Sequence, residues 1–237
     1  MKIALLSANL GGIDKEQKNV DQNVQYDYFC FTDKNFPPRA CSMTPRLQAR
    51  IPKMSGPQMV PDYHIYIWLD SSCRLSKENS IETLLSKLGQ NDLLVFKHPN
   101  RNSIREEADY LDKRIKQGCP YITPRYYNER TEEQLKIIEG DKDYVDDHLF
   151  ASTCIVYKNN ERVDNMMKDW FLHTALYHSI DQLSFPYVIW KNDCSYSVEE
   201  TPYTKVDYLE YIRNNSVVEG LLKEVGGMLY RMINPIR

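Results

Sequence analysis

The sequence lacks three features that would place it in a class at once: an excess of charge of one sign, paired cysteines and a long apolar run. Its 33 acidic and 30 basic residues give a formal net charge of −3, which provides no overall field to attract nucleic acid. The six cysteines are spread singly, without a C-x-x-C pair or a histidine at zinc-finger spacing. Reduced, mostly buried thiols are therefore favoured over a disulfide framework.

No stretch approaches the roughly 20 apolar residues that cross a membrane. The first residues, MKIALLSANLGG, contain too short an apolar run for a signal peptide. We therefore expect a cytoplasmic protein without a membrane span, with peripheral membrane contact still open. The G-x-G-x-x-G spacing that opens a dinucleotide-binding helix is also missing, so Gly11 and Gly12 alone are a weak phosphate signal.

The composition that is present suits a folded domain. The chain has 237 residues, of which 42% are hydrophobic and 27% charged. Strand-like and helix-like segments alternate for most of its length, which predicts a three-layer α/β domain with a mostly parallel sheet. We place the main domain at residues 1–200, with a polar, tyrosine-containing insertion at 118–148 that forms a lid or a binding lobe. A helical C-terminal extension is predicted at 201–237, because 217–233 is amphipathic.

Three predicted strands end at groups that bind ligands in many proteins. The stretch HIYIWLDSS predicts a strand buried on both faces that stops at Asp70 and two serines. YDYFCFTD ends at Asp33, and DLLVFK leads to His98, although a histidine in that position is structural at least as often as functional. Ligands of open α/β sheets bind beyond the carboxyl ends of the strands. We therefore expect these three side chains to share one edge of the sheet.

Two further segments place polar groups beside apolar ones. The first apolar run ends at Ala8 and Asn9, which predicts a core strand followed by a loop close to a ligand. SIDQLSFPYVIWK is mostly apolar but carries Asp181 and Gln182 near its start. A carboxylate and an amide at the mouth of a buried segment need partners, which are either protein donors or ligand hydroxyls.

The segment PRLQARIPK predicts a short amphipathic helix. Arg46 and Arg50 fall on one face of it, four residues apart. Pro52 is expected to end or kink the helix, which leaves Lys53 at the turn. The alternative interpretation is a basic face that simply contacts solvent.

Four strings in this order resemble a known family. YDYFCFTD, AR-x-x-K followed by YIWLD, KHPNRNSIREEA and DQLSFPYVIWK are similar to the glycosyltransferase-like family that includes plant mucilage hexosyltransferases and bacterial polysaccharide enzymes, over roughly residues 1–192. The resemblance implies a GT-A fold. It also implies transfer of a hexose-type sugar from a nucleotide-diphosphate donor, with a UDP-sugar favoured, to a glycan or lipid-linked saccharide acceptor. Independently of the resemblance, the tyrosines of the 118–148 insertion would either stack on such an acceptor or simply cover the core.

The resemblance also implies roles for individual residues. Asp33 would contact the donor nucleoside, and Arg50 and Lys53 would lie near the diphosphate. Asp181 and Gln182 would face the transferred sugar as the catalytic pair. The complete donor-binding set implied in this way, together with the strand ends above, is Ala8, Asn9, Asp33, Arg50, Lys53, Asp70, Ser71, Ser72, His98 and Arg101.

The expected metal site is incomplete, because Ser72 stands where a D-x-D motif has its second acid. In one alternative, Asp70 and Ser72 would hold Mn²⁺ or Mg²⁺ together with water and the diphosphate. In the other, the site would depend less on a metal, and Arg50 and Lys53 would stabilise the diphosphate. Asp181 would be a general base in an inverting transfer, or would stabilise an oxocarbenium-like centre in a retaining one.

Two other classes of function compete with this hypothesis. One is a nucleotide-sugar-binding module with weak or no catalysis, which the incomplete D-x-D makes conceivable. The other, less favoured, is a phosphatase with an aspartyl nucleophile. That chemistry needs a second acid two residues later to protonate the leaving group, and Ser72 cannot supply it.

Overall fold

A computed structural model describes residues 1–12, 14, 18–39 and 42–212 of the chain. The strands in this part are β1 (Ile3–Asn9), β2 (Asp27–Thr32), β3 (Ile65–Leu69), β4 (Cys73–Leu75), β5 (Leu93–Lys97), β6 (Phe150–Lys158), β7 (Tyr196–Glu199) and β8 (Leu209–Tyr211). The helices are α1 (Pro45–Met54), α2 (Gly56–Met59), α3 (Ser80–Leu88), α4 (Ile104–Lys116), α5 (Thr123–Tyr126), α6 (Thr131–Gly140), α7 (Glu161–Leu176) and α8 (Phe185–Lys191), and a 3₁₀ turn spans Asp181–Leu183.

Six strands form the central sheet in the order β2-β1-β3-β6-β5-β7. β1 is parallel to β2 and β3, and β5 is parallel to β7. β6 is antiparallel to both of its neighbours, β3 and β5. Five of the six strands therefore run in one direction, and the prediction of a mostly parallel α/β sheet is confirmed.

The sheet is covered on both faces, as the β3 sequence predicts. Tyr66 and Trp68 point into a core that also contains residues of α1, α4, α7 and α8. Ile65, Ile67 and Leu69 point to the other side, where they pack with α3, β4 and β8. Every residue of β3 is buried. The second face is thus closed partly by a helix and partly by a small two-stranded sheet, which completes the three layers.

The chain after residue 200 differs from the prediction in the part that the structure describes. Residues 201–212 are not helical. They end in β8, which pairs antiparallel with β4 and buries Tyr208 and Leu209 against the domain. The amphipathic segment 217–233 lies outside the described residues. No described helix combines the length and apolar character required to cross a bilayer. The five cysteines described are free thiols, as predicted.

Helix α1 also corrects one expectation. It begins at the predicted place, where the Thr44 hydroxyl accepts a hydrogen bond from the Leu47 backbone N–H at 3.2 Å. Pro52 does not end it, since the helix continues to Met54 and the Ser55 N–H still bonds to the Ile51 carbonyl. The burial of Pro52 and Met54 against the sheet holds the last turn in place. As a result, the last turn of α1 points into the molecule.

Candidate active site

The loop after β3 holds Asp70 at the carboxyl end of the sheet. Its backbone N–H donates to the Thr153 carbonyl at 2.9 Å, and its own carbonyl accepts from Cys73 N–H at 2.8 Å in a tight turn. The Ser72 carbonyl accepts from Ile212 N–H at 2.8 Å, so the chain next to β8 braces the same loop. The Asp70 side chain is 34% exposed. A carboxylate on a fixed backbone therefore faces solvent at this point.

Two basic residues of α1 meet two acids here. Nζ of Lys53 lies 2.7 Å from Oδ2 of Asp181 and 3.5 Å from Oδ1 of Asp70. Nη1 of Arg50 lies 3.0 Å from the same Asp181 oxygen. The predicted helix thus supplies both cations, and one of them bridges acids that lie far apart in the sequence.

Lys53 is enclosed completely, with a side-chain exposure of 0%. Its ammonium lies 5.6 Å from the ring centroids of both Trp68 and Trp170, a range in which the π faces attract a cation. The indole N–H of Trp68 donates to Oδ1 of Asp70, and that of Trp170 to the backbone carbonyl of Asp181, each at 2.7 Å. Lys53 thus lies in the last turn of α1 with its side chain inside the molecule.

Asp181 is ionised in this environment. Burial by itself would raise the pKa of its carboxyl group, but the charges of Arg50 and Lys53 and a hydrogen bond from Ser152 outweigh burial and lower the pKa below its ordinary value. The contact of Lys53 with Asp181, 2.7 Å long, is an ion pair between two buried side chains. Gln182, next in the 3₁₀ turn, is half-buried.

A second loop, after β1, lies beside the Asp70 loop. The side chain of Asn9 donates to the carbonyl of Asp14 at 2.8 Å and accepts from its N–H at 3.2 Å. The carboxylate of Asp14 accepts a hydrogen bond from the hydroxyl of Ser71. Ala8 is buried beneath this loop. The predicted residues Ala8, Asn9 and Ser71 thus belong to one connected rim.

Asp33 has a structural partner. Both of its carboxylate oxygens accept from the backbone N–H of Gly11, at 3.0 and 3.1 Å. Gly11 has a φ of 74°, a left-handed conformation that glycine adopts without strain. Asp33 is otherwise exposed at the carboxyl end of β2. Its carboxylate therefore shapes the loop after β1.

His98 and Arg101 form a separate network after β5. Nδ1 of His98 accepts backbone N–H groups of Asn100 and Arg101, at 3.3 and 3.1 Å. Burial, together with the neighbouring Arg101 charge, lowers the pKa of His98 to about 4. The guanidinium of Arg101 hydrogen-bonds the buried carboxylate of Glu107 and lies 4.1 Å from the centroid of the Tyr110 ring. β6 separates this network from Asp70, although β3 and β5 end at the same edge of the sheet.

The 118–148 insertion contributes a wall beside α1. Tyr126, at the end of α5, is buried; its hydroxyl accepts a hydrogen bond from Arg46, whose guanidinium carbon lies 5.4 Å from the Tyr126 ring centroid. The ring of Tyr126 also packs on His178, 5.3 Å away, and Nδ1 of His178 accepts the N–H of Ile180 at 3.0 Å. This wall therefore reaches the residue that precedes Asp181.

Several residues of the site have no signal in the sequence. Ser152 sits inside the apolar strand β6, and Trp68 and Trp170 belong to patterns that indicate core packing. Ser152 donates a hydrogen bond to Asp181, and the aromatic rings of Trp68 and Trp170 face Lys53. These contacts join segments that are distant in the sequence. The detectable signals were Asp70 at the end of a strand, Asp181 beside Gln182, and the amphipathic helix that carries Arg50.

The donor atoms for a metal ion are few. Asp70 and Ser72 are the predicted ligands, and only Asp70 carries a charge. Among the residues that the structure describes, no group of three His, Cys, Asp or Glu side chains is arranged to hold a metal ion. A cation at Asp70 would therefore take most of its ligands from a bound substrate and water.

Comparison with known proteins gives the family. The model of the TOD1/MUCI70 glycosyltransferase-like domain matches residues 40–214, which include α1, the Asp70 loop and Asp181. A search of curated proteins found no match.

One solved structure aligns with most of this chain. It is a glycosyltransferase involved in the glycosylation of the major capsid of PBCV-1, with 10% identity and a TM-score of 0.47, and the alignment covers 94% of this chain and 98% of that one.

Since the family model spans well over half of the 237 residues, the chain belongs to the TOD1/MUCI70 glycosyltransferase-like domain family.

Proposed function

We propose that the protein transfers a hexose-type sugar from a nucleotide-diphosphate donor, with a UDP-sugar favoured, to a hydroxyl group of a glycan or glycolipid acceptor. Family membership supports glycosyl transfer in general. One observation carries the proposal further: Arg50, Lys53, Asp70 and Asp181 converge at the carboxyl end of β3. This is the edge at which open α/β sheets bind their ligands.

The reaction places opposite charges on the two parts of the donor. The bond between the anomeric carbon and the terminal phosphate oxygen breaks, and its electron pair leaves on the diphosphate. The acceptor oxygen forms the new bond to that carbon and loses its proton. Fixed charges aimed at these positions lower the barrier, because they need no reorganisation during the reaction. In this proposal Arg50, whose side chain is 13% exposed, contacts the phosphates and Asp181 faces the sugar.

Asp181 acts in this proposal by stabilising positive charge on the sugar. A general base works best when its pKa lies near the operating pH. The lowered pKa of Asp181 makes its carboxylate a weak base, whereas an ionised carboxylate can still stabilise an oxocarbenium-like centre while it is paired with Arg50 and Lys53. The acceptor proton then passes to the departing phosphate oxygen. The structure therefore favours the stabiliser over the base among the two roles considered.

The nucleoside is assigned to the rim beside Asp70. Asn9, Asp33 and Ser71 line the loops that follow β1, β2 and β3. These three strands are neighbours in the sheet, so a nucleotide with its diphosphate at Asp70 has the β1 and β2 loops next to it. The backbone N–H of Gly11 is already held by the Asp33 carboxylate.

The test is release of nucleoside diphosphate from a panel of nucleotide sugars, followed with and without saccharide acceptors. The wild type is expected to hydrolyse at least one donor slowly. Asp70→Asn is expected to lose donor binding and release together. Asp112→Asn serves as the matched control, since Asp112 is an exposed acid of α4 that pairs with Lys116.

Other results would select the other classes. Saturable donor binding without any release would identify a binding module. Release of phosphate from simple phosphomonoesters would identify a phosphatase. If Asp70→Asn released nucleoside diphosphate at the wild-type rate, the site around Asp70 would have no part in the mechanism.

A further inference from the structure

The residues around Asp70 do not fit a divalent cation well. Mn²⁺ and Mg²⁺ are bound by oxygen ligands, chiefly carboxylates. Oδ1 of Asp70 already accepts the indole N–H of Trp68 at 2.7 Å and has Nζ of Lys53 at 3.5 Å. Ser72 adds only a neutral hydroxyl. One carboxylate oxygen is left for a metal, next to a positive charge that is already in place.

The ammonium of Lys53 occupies the position that a bridging cation would take. It lies between the carboxylates of Asp70 and Asp181, which approach it from different elements. Its enclosure is complete on the remaining sides, where the rings of Trp68 and Trp170 face it. Both carboxylates and both aromatic faces interact favourably with the ammonium group at this position. Lys53 cannot swing into solvent without breaking these contacts.

The charges in this network balance without a metal. Lys53 and Arg50 contribute two positive charges, and Asp70 and Asp181 contribute two negative ones. A divalent ion added at Asp70 would meet the charge of the buried Lys53, which lies 3.5 Å from Oδ1, and the two positive charges would repel each other. The arrangement thus compensates both acids before any substrate arrives.

We propose that Lys53 is a resident cation that replaces the divalent metal, so that the protein binds the nucleotide diphosphate without Mn²⁺ or Mg²⁺. This inference rests on the proposed function and specifies its cofactor requirement. Lys53 is a positioning residue here, since it is too deeply buried to contact the donor. It fixes the two acids while Arg50 faces the phosphates.

The inference predicts a gain of metal binding when the lysine is removed. In Lys53→Met, whose side chain has a similar length and no charge, two carboxylates would converge on one point with only Arg50, at Asp181, to compensate them. This variant is expected to bind Mn²⁺ alone at least about tenfold more tightly than the wild type. Lys87→Met is the control, because Lys87 also pairs with an acid and lies 5.8 Å from an aromatic centroid, but at Glu199 and Tyr208.

The deciding experiment is calorimetric titration of the wild type with uridine diphosphate, in EDTA and in excess Mn²⁺. We expect the two Kd values to agree within about twofold. A Kd at least about tenfold lower with Mn²⁺, or saturable binding of Mn²⁺ alone to the wild type, would overturn the resident cation and leave the transferase proposal intact. Absence of binding by any nucleotide diphosphate, with or without metal, would overturn both. These wild-type titrations decide the matter even if Lys53→Met does not fold.

Discussion

Lys53 and Asp181 form an ion pair, 2.7 Å long, in which the lysine side chain is 0% exposed and the aspartate side chain 4% exposed. The pair ties the last turn of α1 to the 3₁₀ turn at Asp181–Leu183, on opposite sides of the site. Buried pairs of this kind contribute little net stability compared with apolar residues, but removal of one partner leaves an uncompensated charge. This asymmetry makes the pair testable by mutation.

Asp181→Asn is expected to lower the free energy of unfolding by roughly 3 kcal/mol, because it leaves Lys53 buried with only Asp70 close by. Denaturant unfolding at neutral pH measures the change. In the double variant Lys53→Met/Asp181→Asn the buried charges are both removed, and part of the loss should be recovered. Strictly additive losses would show that the two side chains do not interact.

A pH effect is expected from His178, which is wholly buried and packs on Tyr126. Burial lowers the pKa of His178 from 6.5 to about 4. Between these values the unfolded chain binds a proton that the folded protein does not, so stability falls as the pH drops from 6.5 towards 4, by at most about 1.4 kcal/mol per pH unit.

The variant His178→Asn isolates this effect. Its amide oxygen can accept the Ile180 N–H that Nδ1 accepts in the wild type. The difference in unfolding free energy between wild type and variant should therefore shrink on going from pH 7 to pH 5. A difference that stays constant with pH would show that the histidine does not titrate in this window.

Gly56 is expected to tolerate no side chain. A Cβ at this position would lie 2.5 Å from the hydroxyl of Tyr157 and 2.6 Å from Cδ1 of Leu6, both inside the core. Gly56→Ala should lower the free energy of unfolding by about 1 to 3 kcal/mol through overpacking. Gly140→Ala is the control, since nothing lies within 4 Å of a Cβ there. Equal stability of the two variants would contradict the packing around α2.

The insertion at 118–148 is expected to act on the acceptor. Tyr127 is 66% exposed, next to the buried Tyr126 that contacts Arg46. Exposed aromatic rings with polar tips suit saccharide surfaces. Tyr127→Ala should therefore reduce transfer to saccharide acceptors, while slow donor hydrolysis and the unfolding free energy stay unchanged. A parallel loss of hydrolysis and transfer would place Tyr127 on the donor side instead.

Local patterns in the sequence predicted strands β1, β2, β3 and β5 and helix α1, whereas β4, β7 and β8 were not predicted. The apolar run of β3 is buried on both faces, and the acid that follows it lies at the expected edge. The period of PRLQARIPK predicted α1, but the continuation through Pro52 depends on burial of its last turn, which no local pattern contains. The strand β8 within 201–212 likewise depends on its pairing with β4.

The site could be predicted as a set of residue types but not as a network. Asp70, Asp181, Arg50 and Lys53 were all candidates, yet nothing in the sequence indicates that Lys53 is the side chain that joins the two acids. Its burial results from the packing of two tryptophans from β3 and α7. Asp33 and His98 were also candidates, but in the structure both side chains accept backbone N–H groups. Their position at strand ends cannot reveal these hydrogen bonds.

A crystal structure of the protein with uridine diphosphate tests the central claim most directly. The account predicts the pyrophosphate at the carboxyl end of β3, in contact with Arg50 and beside Asp70, with Lys53 still between Asp70 and Asp181. A nucleotide bound at any other edge of the sheet, or a Lys53 side chain displaced by a metal ion, would contradict it.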